Sequence, residues 1–200
     1  MHIQEHFRKE GRDELLGFIG EYPLATFVVD VEGRMTANHF PMIVTDGVLA
    51  AHIPAANPIA KVIDGQSALC IFTGPDAYVS PSWYPSKQAH GKVVPTWNYS
   101  AVHVSGKVAT QDSVAWKMSH LEGLTQLFES HQAQPWRVSD APRSFTEKMI
   151  GAIVGLEVSI DEIEGKFKLG QNRSEEDRNG AISELRSAGA SEIAEMMIRE

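Results

Sequence analysis

Between Val94 and Val108 the chain reads VPTWNYSAVHVSGKV, and its side chains alternate as those of a β-strand do. One face carries Trp97, Tyr99, Ala101, His103 and Ser105; the other carries Thr96, Asn98, Ser100, Val102 and Val104. Beyond Ser100 the second face is aliphatic, as a core face should be. The first is aromatic with polar tips, which suits a flat, partly polar ligand or a partner subunit. Near the start the spacing is helical instead: from Asp13, the side chains of Leu15, Leu16, Phe18 and Ile19 share one face, and Pro23 ends the helix. LATFVVD and GRMTANHFPMIV read as strands joined by a tight turn at Glu32-Gly33, and DGVLAAHIP follows across a second hairpin signal, Asp46-Gly47. A short helix is expected from Pro58 to Ile63. SALCIFTGPDAYVSPSWY reads as two strands broken at Gly74-Pro75, and Lys87 to Lys92 as a polar loop.

The second half opens with a helix over Val114 to Phe128. An S-x-x-E pattern at Ser144 and Glu147 predicts a capped short helix, and Ile153 to Leu169 returns to strand character. Two tail helices follow, 175–186 and 191–198, the first opened by Ser174 in S-x-x-D. Antiparallel strands with a few helices between them predict a small β-barrel with peripheral helices, mainly β or α+β. Residues 1–170 would form the barrel domain and residues 171–200 a helical tail.

Charge narrows the partners. The 200 residues carry 18 Lys plus Arg against 26 Asp plus Glu, a formal net charge of −8. Such a chain has no overall pull towards nucleic acid, and no Lys/Arg-rich run supplies a local one. The tail helices, the one candidate pair for DNA contact, hold Glu175, Glu176, Asp177, Glu184, Glu192 and Glu195, which would repel phosphates. The single cysteine, Cys70, excludes an intrachain disulfide and a multi-cysteine zinc site. Its setting, SALCIFTG, predicts a buried, inert thiol. No apolar stretch is long enough to span a bilayer and no leader-like segment opens the chain, so a cytoplasmic protein is expected.

Candidate chemistry is sparse. His39, His52 and His103 lie in predicted strands without H-x-H or H-E-x-x-H spacing, so they read as hydrogen-bonded or pocket-lining rather than metal-binding. No G-x-S-x-G elbow, Rossmann glycine pattern or P-loop occurs. In AHIPAANPIAK, Asn57 is a good N-cap, Pro58 suits the first helical position and Lys61 stands one turn in. That pattern is either a cap alone or an anion site. Trp83-Tyr84 and Trp97 with Tyr99 cluster beside prolines, where sheets are irregular and pockets form. In GKFKLGQNRSEEDR, Lys166 and Lys168 share a face ahead of Gln171, Asn172 and Arg173. This is either a strand end before a capped helix or part of a phosphate or carboxylate site.

NHFP (38–41), AHIPAANP (51–58), FTGPDAYVSPSWY (72–84), VPTWNYSAVHVSG (94–106) and GKFKLGQNRSEEDR (165–178) resemble, in order, the motifs of the PaiB family. The resemblance covers nearly the whole chain. Members of that family are described as negative transcriptional regulators with an FMN-binding domain. The resemblance implies a six-stranded-type antiparallel split β-barrel, like that of pyridoxamine-phosphate oxidases and flavin reductases. It also implies a homodimer with FMN in the groove between subunits. By position in such a barrel, His39, His52, Asn57 and Lys61 are the leading cofactor-binding candidates. Trp83, Tyr84, Trp97, Asn98, His103, Lys166, Lys168, Gln171 and Asn172 complete the candidate set. Where the family pattern reads H-x-A-R-A-N-P, this chain has Ala55 in the arginine's place. The implied role is a flavin-binding regulator or sensor linked to transcriptional repression. The alternatives are a flavin-dependent oxidoreductase, with the isoalloxazine as redox group, or a haem-binding split-barrel protein.

Overall fold

The structure is a computed structural model that describes residues Met1–Glu200. Its strands are β1 (Arg8–Lys9), β2 (Leu24–Val31), β3 (Arg34–Pro41), β4 (Ile43–Thr45), β5 (Val48–Pro54), β6 (Ser67–Val79), β7 (Thr96–Gln111), β8 (Ile153–Ser159) and β9 (Glu162–Lys168). The helices are α1 (Arg12–Glu21), α2 (Ser86–His90), α3 (Val114–Glu129), α4 (Arg143–Gly151), α5 (Glu175–Ser187) and α6 (Ser191–Arg199). The chain divides into two compact units. The first holds residues 1–18, 72–103 and 164–200; the second holds 19–71 and 104–163.

In the second unit β2 lies between β3 and β6, antiparallel to both. β8 lies between β5 and the end of β7, and β4 pairs with β5. Both expected hairpins are present, and each is closed by two residues with positive φ: Glu32 and Gly33 (54° and 80°), and Asp46 and Gly47 (48° and 82°). Two successive left-handed residues twist the chain as paired strands require, which is why X-Gly sits at each corner. Alternate residues face inward, as with Ala25, Phe27 and Val29 of β2 or Leu156 and Val158 of β8. Cys70 of β6 pairs with Phe27 and is fully buried; burial pushes its thiol pKa up to about 12, so it is unreactive.

In the first unit β1 pairs with β9, and β9 is a neighbour of β7. Phe7, Leu15, Phe72, Val102 and Phe167 are buried there. Ser174 caps α5 by accepting from Asp177 N at 3.2 Å, as S-x-x-D predicted. In α6, Ile193, Ala194 and Met197 are buried. The first half of β7 buries Thr96's face from Asn98 onward, and its two buried polar side chains meet α6. Asn98 Nδ2 donates to the Met197 sulfur at 3.4 Å and Ser100 Oγ to the Met196 sulfur at 3.6 Å.

Some expectations fail for local reasons. β6 runs unbroken through Gly74-Pro75. Gly74 is not a turn residue: a Cβ there would sit 2.5 Å from Ser100 Oγ and 2.9 Å from the Phe18 ring, so the glycine makes room for packing. The segment after Asn57 is a four-residue 3-10 turn, Pro58–Lys61, not a regular helix. Lys87 to Lys92 is mostly helical, in α2, which ends at Gly91 with φ 67°. Ser144 caps nothing: α4 begins at Arg143, so Ser144 already lies inside it. The strand character expected from Ile153 to Leu169 is present, as two strands, β8 and β9.

Candidate functional site

The candidate residues fall in both units. In the second unit, Asn57 does what its cap pattern implies: its Oδ1 accepts from Ile59 N at 3.2 Å. Its amide nitrogen also donates to Asn38 Oδ1 at 2.9 Å, so the NHFP and AHIPAANP motifs meet through two asparagines. His39, on the opposite side of β3 from Asn38, is exposed and its Nδ1 lies 3.1 Å from Thr26 Oγ1. Lys61 is exposed at the end of the 3-10 turn, with no hydrogen-bond or ion-pair partner. One such turn aligns too few peptide dipoles to act as a helix N-terminus towards an anion.

His52 makes a contact that sequence spacing did not reveal. Its Nδ1 lies 3.2 Å from Nε2 of His120, on α3, with the rings edge to face. Trp116, one turn earlier, stacks on His120 with centroids 5.0 Å apart. The Trp116 indole donates to Glu157 Oε1 at 2.7 Å, and Gln111 holds the other carboxylate oxygen. His120 is 7% exposed, and its Nδ1 is buried without a partner. Burial, then the adjacent His52, lowers the His120 pKa to about 4, and burial lowers that of His52. Both imidazoles are therefore neutral at pH 7. The i, i+4 spacing of Trp116 and His120 in the predicted helix was the available clue to a shared face.

In the first unit, Trp97 is 51% exposed. Its indole donates to Asp76 at 2.7 Å, and its ring packs edge to face with the half-exposed Tyr78. Lys168 donates to Thr96 Oγ1 and to the Trp97 carbonyl. Lys166 donates to the His2 carbonyl at 3.1 Å and lies over the Tyr99 ring. Arg173, which the candidate set omitted, lies over the ring of the buried Tyr84. Trp83 ends a 3-10 turn, Pro81–Trp83, and its carbonyl lies so close to Gly180 that a Cβ there would be 2.2 Å away. His103 is half-buried, and its pKa is lowered by burial and by the Met1 ammonium, against the opposing pull of Glu164. Gln171 bonds Leu169 N and Phe167 O, while Asn172 is exposed. Thus Trp97 and Lys168 are joined directly, whereas Asn98 faces the other way, under α6.

No cluster of three or more His, Cys, Asp or Glu side chains could hold a metal ion. An aromatic face with unpaired cations beside it is chemically suited to a flat, phosphorylated ligand.

Residues 1–162 match the family described as "Putative FMN-binding domain". The chain belongs to that family. One relative, the protease synthase and sporulation protein PAI 2 of Bacillus subtilis, is 29% identical over 207 residues, covering 98% of this chain and 96% of that protein. This bears out the PaiB resemblance seen in the motifs. Two solved structures share the fold of this FMN-binding-domain chain. The flavocytochrome Anf3 from Azotobacter vinelandii has a TM-score of 0.66 at 16% identity, covering 89% of this chain and 78% of that one. The FAD and heme binding protein from Mycobacterium smegmatis has a TM-score of 0.63 at 20% identity, covering 81% and 73%. The fold is the expected antiparallel split barrel with peripheral helices and a C-terminal helical segment. No helix is long and apolar enough to cross a membrane.

Proposed function

We propose that the chain binds FMN and works as a flavin-binding regulator or sensor linked to transcriptional repression. The observation that carries the flavin reading is the family match over residues 1–162. The exposed Trp97–Tyr78 pair supports it, because an indole left half in water, on a residue whose carbonyl accepts from Lys168, is suited to stack on a flat anionic ligand. The regulatory part draws on the Bacillus subtilis relative, whose name ties that protein to protease synthesis and sporulation. When bound, FMN supplies reversible redox chemistry at its ring; the protein binds and orients it.

The test is the absorption spectrum of purified protein after incubation with FMN and desalting, followed by NADH or NADPH. Retained flavin without turnover is the expected result. Turnover would make the protein an oxidoreductase, a Soret band in the isolated protein would favour haem, and no retained flavin would end the FMN reading.

A second expectation concerns assembly. We propose a homodimer, in which a partner subunit covers exposed aromatic surface such as that of Trp97 and Tyr78. Light scattering at micromolar concentration should give about twice the 22.0 kDa chain mass. A monomer mass would remove the dimer and any shared site.

A further inference from the structure

We infer that Lys166, Lys168 and Arg173 form a binding site for the dianion of a phosphate monoester. The inference rests on the flavin reading only for the name of the ligand. The site itself stands on charge and geometry within the first unit.

Two lysines two positions apart on β9 project from the same face. The turn that follows is fixed in place. Arg173 N donates to Gly170 O at 2.9 Å, and Gly170 has the positive φ (83°) the turn requires. The Gln171 side chain folds back on the strand it follows, accepting from Leu169 N at 2.8 Å and donating to Phe167 O at 2.7 Å. The Gln171 amide is therefore committed to the end of the strand.

None of the three cations has a carboxylate at ion-pair distance, in a chain with eight more acids than bases. Several acids of this unit are engaged elsewhere, and Glu175 and Glu176, exposed in the first turn of α5, make no ion pair with Arg173. Glu164 pairs with the Met1 ammonium, Glu14 and Glu200 with Lys9, and Glu195 with Arg186. Asp177, four residues after Arg173, instead accepts from Ser86 N and Oγ at 3.0 and 2.6 Å. Asp76 takes the Trp97 indole. Burial, then Lys166 and Arg173, lowers the Lys168 pKa, and no acid offsets them. Like charges gathered without a counter-ion destabilise the fold, and a bound anion relieves that repulsion.

The donors are also left over. Lys168 uses two of its three on Thr96 and the Trp97 carbonyl, and Lys166 uses one on His2. The Arg173 guanidinium lies on Tyr84 and has no carboxylate across its fork. Two ammonium groups and a planar fork suit a tetrahedral dianion better than a carboxylate, which offers two oxygens and one charge. The link from Lys168 to the Trp97 carbonyl ties this site to the exposed indole, as a phosphorylated flat ligand would need.

The test uses the full chain and two kinds of probe: inorganic phosphate, followed by calorimetry at low ionic strength, and FMN against riboflavin, followed by flavin fluorescence. Lys166→Gln and Arg173→Gln should each weaken phosphate and FMN by about 10- to 100-fold, the scale of one charge-assisted hydrogen bond, with riboflavin unchanged. Lys168→Gln should do the same, but its bonds to the strand make it the less safe variant, so the other two decide. Phosphate binding that is lost in the variants while the wild type takes up no flavin upholds the anion site and ends the FMN reading. Undetectable phosphate binding, equal binding by wild type and both variants, or a loss confined to Lys61→Gln would overturn the site.

Discussion

Gly106→Ala should be among the most damaging single changes in the chain, lowering stability by about 3 kcal/mol or more. A Cβ at Gly106 would lie 1.7 Å from the carbonyl oxygen of Ser159 and 2.7 Å from its carbon. Both are backbone atoms, so no rotamer change can make room. The neighbourhood is also pinned: Lys107 N donates to Ser159 Oγ at 2.8 Å, and Asp161 N donates to Ser105 O at 3.1 Å. Moving β7 away from Ser159 would break both. The control is Gly123→Ala, in the middle of α3, where a Cβ meets nothing within 4 Å. That change should stabilise by about 0.5–1 kcal/mol, since alanine restricts the unfolded chain and favours helix. Urea unfolding of the two variants gives the comparison. Similar midpoints for both would mean that β7 and β8 are not in this close contact.

The second large effect is on pH. His120 has its pKa lowered to about 4 in the folded chain, against an ordinary value of 6.5. The unfolded chain therefore takes up the proton first as pH falls. The stability this group contributes is complete above pH 6.5, declines between 6.5 and 4, and is gone below 4. The loss should be about 2 kcal/mol after allowance for solvent screening. His52 shifts in the same direction and adds to the decline. His120→Phe keeps a ring against Trp116 and removes the unpartnered nitrogen, so it should flatten the profile over this window. Chemical denaturation at pH 7, 5.5 and 4 measures it; an unchanged slope in the variant would assign the pH dependence to other groups.

The sequence was most legible where one residue type has one physical use. Two X-Gly pairs marked both hairpins, because few other residues accept successive positive φ angles. Asn57 and Ser174 announced their caps through side chains that reach the second or third N–H ahead. The alternation in β7 correctly separated Trp97 from the buried face of Asn98, Ser100 and Val102. Reading failed where a residue served a distant neighbour. Gly74-Pro75 has the composition of a turn, but Gly74 accommodates Phe18, 56 positions earlier in the chain. His52 and His120 are 68 residues apart, and no local pattern connects them. Arg173 was visible in GKFKLGQNR, yet its isolation from carboxylates emerges only once Asp177 is seen turned to Ser86. The candidate set was legible as a collection of motifs; which of them carry unneutralised charge was not.

Cys70 gives the second unit its own built-in clock. It is the one sulfhydryl in the chain, with no exposed surface and an unreactive neutral thiol, on a strand whose partner is β2. An alkylating reagent reaches that sulfur only when β6 and β2 separate or the layer over them lifts. The rate of its modification therefore counts opening events at one known address, without an engineered label.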